Sequence, residues 1–166
     1  TYDLNFYDYI SGLSSAAYKA VADGEEVIPL TAIVGVSGTE YTQDWSVDFD
    51  VLKQDTTNYI SLEIYDVAGN TATVTDAFFI KKDTTPPVID NSQQTGDDTW
   101  RSINNGYYDV NFSDTGGSLL DRFQIKVTTG PDFSGLLIQD WIESGIEISS
   151  FSSYTAEWQV PNTVFD

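Results

Sequence analysis

Asp83-Thr84-Thr85-Pro86-Pro87 decides the reading of this chain, because the sequence on one side of it echoes the sequence on the other. Upstream, Tyr65-Asp66-Val67-Ala68-Gly69-Asn70 reads as a tight turn, followed by a strand that ends at Lys81-Lys82. Downstream, Gly106-Tyr107-Tyr108-Asp109-Val110-Asn111-Phe112-Ser113-Asp114 matches the opening Thr1-Tyr2-Asp3-Leu4-Asn5-Phe6-Tyr7-Asp8. Tyr2 aligns with Tyr108, Phe6 with Phe112 and Asp8 with Asp114, all at an offset of 106, whereas Trp45 aligns with Trp158 at 113. The second copy therefore carries about seven more residues between these positions, and Gly130-Pro131-Asp132-Phe133-Ser134-Gly135 is the expected insertion. Similarity at a fixed offset predicts an array of small units. Arrays of this kind span distance or hold partners more often than they carry out chemistry.

Hydrophobic periodicity is two along most of the chain. Tyr2, Leu4 and Phe6 alternate with Asp3, Asn5 and Tyr7, so one face is buried and the other is wet. Trp45, Val47, Phe49 and Val51 alternate in the same way, as do Ile60, Leu62 and Ile64, and Phe123, Ile125 and Val127. Val74, Phe78 and Ile80 share a face on which Asp76 also falls, which predicts a bulge or a break in pairing there. Only Ser14 to Ala22 could pass for a helix, and it is short and flanked by strand patterns. Polar clusters such as Asp23-Gly24-Glu25-Glu26 and Ser37-Gly38-Thr39 separate the strands. The predicted fold is all-β: tandem immunoglobulin-like antiparallel β-sandwiches.

The expected domains are 1–82 and 88–166, with 83–87 as a rigid Pro-Pro linker. Two prolines favour extended polyproline geometry and remove two backbone donors, so five such residues span about 15 Å and bend little. The first sandwich lacks its first strand, because the strand preceding the echo in copy two (within Val88 to Asn105) has no earlier counterpart. The second lacks its last strands, because nothing after Trp158 matches Asn58 to Lys82. Either the sequence is a piece of a longer array, which is the favoured expectation, or neighbouring molecules complete each sandwich by adding strands.

Composition narrows the functions. Among 166 residues there are 26 acids and 7 bases, a formal charge of −19, and no cluster of Lys and Arg to release counterions from nucleic acid or an anionic membrane. Apolar content of 40% is sufficient for packed cores. No cysteine is present, which rules out disulfides and thiolate metal sites. No histidine is present either, removing the commonest general base and the usual zinc ligands. The acids fall mostly at outward strand positions or in turns, where they stay solvated, so no catalytic residues are predicted. No apolar run approaches the roughly 20 residues of a membrane-spanning helix.

Asn58-Tyr59-Ile60-Ser61-Leu62-Glu63-Ile64-Tyr65-Asp66-Val67-Ala68-Gly69-Asn70, followed by Asp83-Thr84-Thr85-Pro86-Pro87, resembles the bacterial immunoglobulin-like repeats of large surface and secreted proteins. The Asp8 to Leu13 turn and the strand through Tyr18 are similar to that family's early hairpin. The resemblance covers nearly all of copy one, and in copy two rests on the linker, Tyr108 to Asp114 and Trp158. It implies a structural or adhesive role on a bacterial surface, as a segment of a stalk, adhesin or fibre, with neighbouring repeats as partners. A self-assembling filament or surface-layer subunit, completed by strand exchange, is an alternative. Another is a carbohydrate-binding or accessory module of a secreted enzyme, with surface glycans or proteins as partners.

Immunoglobulin-type connectivity places Asp8 and the Asp66–Asn70 turn at the end where the chain enters copy one. Asp83 then leaves at the opposite end, toward Asp114 of copy two. Asp8, Asp66, Asn70, Asp83 and Asp114 are thus candidate ligands for calcium, which takes about six to eight oxygen ligands. The resemblance points the same way, since related repeats carry calcium at domain junctions. The same residues also have a simpler use, closing turns through their own side chains. Trp100 and Trp141 lie in irregular stretches and are the candidates for a ligand or subunit contact, while Trp45 and Trp158 fit the core alternation.

Overall fold

The structure is a computed structural model that describes residues 1–92 and 97–165. Every described regular element except one short 3-10 turn, Asn162–Val164, is a β-strand, and all pairings are antiparallel. The chain divides into two compact units, Thr1–Thr84 and Thr85–Asp166.

The first unit contains β1 (Phe6–Tyr7), β2 (Leu13–Ala22), β3 (Glu25–Ile33), β4 (Glu40–Tyr41), β5 (Thr56–Asp66) and β6 (Thr71–Lys82). One sheet has the order β3-β2-β5-β6, and a small second sheet pairs β1 with β4. Alternation puts Ala16, Tyr18 and Ala20 of β2 and Ile60 and Leu62 of β5 on one buried face. Phe6 and Tyr41 from the smaller sheet, and Trp45 from the Tyr2–Trp45 bridge beyond it, join the same core, so the unit is layered as a sandwich. The helix-like stretch of β2 is extended because both its edges are taken, by β3 and β5. Between β2 and β3, Asp23 and Gly24 both have positive φ, 52° and 79°, as a two-residue hairpin turn of matching twist requires.

Two expectations meet different outcomes here. Asp76 adopts φ 51° where the β5–β6 register jumps from Ile60↔Phe78 to Leu62↔Val74, and its N–H donates to Ser61 Oγ at 3.1 Å. A bulge thus turns the aspartate off the apolar face. The alternation from Trp45 to Val51, by contrast, does not continue as a strand. Pairing stops at Trp45, Asp50 N donates to Asp48 Oδ1 at 3.2 Å, and Leu52 N donates to Phe49 O at 3.3 Å. The aspartate-closed turn leaves Phe49 and Val51 exposed and buries Leu52 instead.

The second unit contains β7 (Val88–Asn91), β8 (Val110–Ser113), β9 (Gln124–Thr128), β10 (Leu137–Glu143) and β11 (Ser153–Tyr154). One sheet has the order β11-β8-β7, and β10 pairs with β9. Phe112, Leu120, Ile125, Ile148, Trp158 and Val164 form its core.

The pairings of the two units correspond. Phe6↔Tyr41 and Tyr7↔Glu40 have counterparts in Phe112↔Tyr154 and Ser113↔Ser153. Tyr2 bridges Trp45 with ring centres 6.0 Å apart, and Tyr108 bridges Trp158 at 6.1 Å. Asp8 N donates to Thr39 O and Asp114 N to Ser152 O. Tyr18↔Thr31, Ala20↔Ile28 and Val21↔Glu26 are matched by Ile125↔Ile142, Val127↔Gln139 and Thr128↔Leu137, with the register shift before the turn kept.

These registers correct the expected insertion. The offset is 106 at Asp8 and Asp114, 107 along β2 and β9, 111 along β3 and β10, and 113 along β4 and β11. Four of the seven extra residues therefore lie in the β9–β10 turn around Gly130 to Gly135, one lies before Leu120, and two lie between β10 and Phe151. β5 and β6 have no counterpart among the described strands of the second unit, and β7 has none in the first.

Candidate functional site

The tip of β5 and the start of β2 build a polar cluster in the first unit. Leu13 pairs with Asp66, and Val67 N donates to Gly12 O at 2.9 Å, so the Asp66–Asn70 turn is laced onto the Asp8–Leu13 turn. Gly12 is required there: its φ is +83°, and an added Cβ would meet Gly38 O at 3.3 Å. Asp8 Oδ1 accepts from Ile10 N at 3.0 Å, and Asp66 Oδ1 accepts from Asn70 N at 2.6 Å. Asn70 Nδ2 donates to Asp66 Oδ2 at 2.6 Å. The Ser11 hydroxyl lies 2.6 Å from Asp8 Oδ2 and 2.8 Å from Asp66 Oδ2.

A hydroxyl has one proton, so Ser11 donates to only one of these carboxylates at a time. The Ser11 side chain and then the Ile10 amide hold the Asp8 carboxyl below its ordinary range. The Asn70 side chain does the same for Asp66, with help from Ser11. Both acids are therefore ionised at neutral pH, one on each side of a single hydroxyl. They line a cleft of about 250 Å³ with Tyr7, Ile64 and Asn70. Three of the five candidate calcium ligands, Asp8, Asp66 and Asn70, are thus gathered, and the oxygens of the two carboxylates and Ser11 could face a hard cation. Among the described residues no three acidic side chains converge.

Asp83 lies near the start of β5, whereas Asp66 ends that strand, about 33 Å along it for ten residues of rise. Asp83 Oδ1 accepts from Gln54 Nε2 at 3.1 Å, and Gln54 Oε1 accepts from Thr84 N and Oγ1. Gln54 therefore fastens the first linker residues to the first unit. Asp114, in the second unit, is buried and repeats the Asp8 turn: Oδ1 accepts from Gly116 N at 2.9 Å, and Ser118 Oγ stands 3.5 Å from Oδ2. Ser11, Ser118 and Gln54 were not among the residues singled out from sequence. The Asp-x-x-Ser spacing at Asp8 was a readable sign, because serine three residues after a turn aspartate can reach its carboxylate.

Trp100 and Trp141 are both exposed, at 100% and 52%. Trp141 lies tilted against Phe133, with ring centres 5.8 Å apart, and Lys126 Nζ lies 5.9 Å from each ring. Asp140 anchors that ammonium at 2.9 Å. This exposed aromatic and polar surface on the β9–β10 hairpin has the chemistry for a Trp141 face to stack on a sugar ring.

The class defined so far is an all-β chain of two antiparallel sandwich-like units with a carboxylate-rich turn cluster. No family model, curated protein or solved structure matches it.

Proposed function

We propose that this chain is a structural module of a bacterial extracellular stalk, adhesin or fibre, made of two immunoglobulin-like repeats in tandem joined by a stiff proline linker. The observation that carries this reading is the agreement of backbone registers between the units, down to the Tyr2–Trp45 and Tyr108–Trp158 bridges. Agreement of register is what duplication of one folding unit leaves behind, and repeated units serve reach and display more readily than catalysis. The resemblance of Asn58 to Asn70 and Asp83 to Pro87 to bacterial surface repeats supports the location. Antibody against the folded chain should label intact cells that make it. Labelling only after permeabilisation would sink the extracellular role.

In this reading calcium bridges Asp8 and Asp66 and stiffens the turn cluster, because two ionised carboxylates share one hydroxyl proton. A ligand bound only by the native state must stabilise it, so the melting temperature should rise in millimolar calcium relative to chelator. An unchanged melting temperature removes calcium from the proposal and leaves turn closure as the role of these residues.

The exposed Trp141–Phe133–Lys126 surface favours one second reading, a carbohydrate-binding module. Retardation of the chain in gels containing polysaccharide, lost in Trp141→Ala, would support that reading over a purely structural one.

A further inference from the structure

The β9–β10 turn carries four residues more than the Asp23-Gly24 turn at the same place in the first unit. It is closed by its own hydrogen bonds: Thr129 N donates to Leu136 O at 3.0 Å, Gly130 N to Ser134 O at 3.1 Å, and Ser134 N to Pro131 O at 2.9 Å. At its tip Asp132 and Phe133 have φ of 52° and 59°. Both lie in the left-handed region, which a bulky side chain enters only at a cost. Burial does not offset that cost, because Phe133 remains 67% exposed. Strain kept at an exposed residue by a well-bonded turn points to a use for its side chain.

The surroundings of Phe133 suggest the use. Its ring is tilted 59° against Trp141, and the Lys126 ammonium stands over both rings. The first unit has Lys19 at the place of Lys126, but Leu30 and Pro29 at those of Trp141 and Asp140, and Phe133 falls among the added residues. Two rings and a carboxylate thus come together on one hairpin of the second unit only. Asp140 lies 2.9 Å from Lys126 Nζ, so the pair offers donors and an acceptor with no net charge. Hydroxyl groups suit such a pair, whereas an acidic glycan would be repelled by a chain at −19.

We infer that the 130–135 turn is a ligand loop that holds Phe133 beside Trp141, so that the two rings and the Lys126–Asp140 pair together take a neutral sugar ring. Trp141 supplies the stacking face, Phe133 the wall beside it, and the ion pair the hydroxyl contacts. The inference rests on the carbohydrate-binding reading above, and adds the charge class of the ligand and the turn that shapes its site.

The test measures binding of the full chain to an array of neutral and uronic-acid oligosaccharides, with Trp141→Ala and Phe133→Gly alongside and urea unfolding of all three. The native chain should bind neutral glycans and not acidic ones, and each substitution should weaken binding about tenfold or more. Phe133→Gly should meanwhile be no less stable than the native chain, because glycine takes this φ without strain. Undiminished binding by Phe133→Gly, with loss in Trp141→Ala, would overturn the inference and leave the carbohydrate reading standing. A preference for acidic glycans would do the same. Weaker binding of Phe133→Gly together with lower stability would also overturn it, by making the ring a packing residue of the hairpin. Undiminished binding by Trp141→Ala, or binding to no glycan at all, would remove both the inference and the reading beneath it.

Discussion

Asp66 accepts from the Asn70 amide, the Asn70 side chain and the Ser11 hydroxyl, and each favours its charged form. A carboxyl with a lowered folded pKa contributes stability above its unfolded value and loses it as pH falls through the lower folded value. A second effect runs the other way, because protonating surface acids relieves the self-repulsion of a chain at −19. The two are separated by comparison with Asp66→Asn, which shares the background charge. The melting temperature of the native chain should exceed that of the variant most at neutral pH, and the gap should close below about pH 4. A gap that is constant from pH 7 to pH 3 would mean that the charge on Asp66 contributes nothing. The pairing of Asp8 with Asp66 was legible, because turn aspartates at the same end of two neighbouring strands must meet. The saturation of their oxygens was not, because it depends on where single N–H and O–H groups point.

At the scale of the element, the β6 bulge shows what sequence could and could not reveal. A charged residue on an otherwise apolar face marked Asp76, and the left-handed backbone there is the means by which the strand expels it. Asp76→Gly should leave stability within about 0.5 kcal/mol, since glycine adopts that φ without strain. Asp76→Val should destabilise the first unit by about 1–2 kcal/mol, because a β-branched residue resists the left-handed region. Urea unfolding of the two variants measures the difference, and equal stabilities would remove the bulge from the account. The stretch from Trp45 to Val51 misled because alternation alone does not distinguish a strand from an aspartate-closed turn. Pairing partners decide that, and among the described residues Val51 lies in a turn and pairs with no strand. The placing of the inserted residues failed for a related reason. The sequence offsets at Asp114 and Trp158 bound the total, but only the intervening registers divide it among three loops.

For the whole molecule, the two units bury different amounts of apolar surface. Among the described residues, fifteen buried residues form the core of the first, against six in the second, which predicts unequal stability. Unfolding in urea should be biphasic, with the second unit melting first, and Trp158→Phe should alter the early transition while Trp45→Phe alters the late one. A single cooperative transition shifted alike by both substitutions would show that the units fold as one body. The claim on which everything else stands is that the units are two copies of one pairing scheme. The chain has no cysteine, so engineered cross-links report register without interference. Tyr7 with Glu40 and Ser113 with Ser153 are corresponding pairs, each next to a hydrogen-bonded neighbour and close enough across the ladder for a disulfide. The most direct measurement is oxidation of the two double-cysteine variants, Tyr7→Cys/Glu40→Cys and Ser113→Cys/Ser153→Cys, under native conditions. Both should close to an intramolecular disulfide with the near-ultraviolet circular dichroism of the folded chain retained. Closure of the first pair with the second remaining reduced would contradict the account.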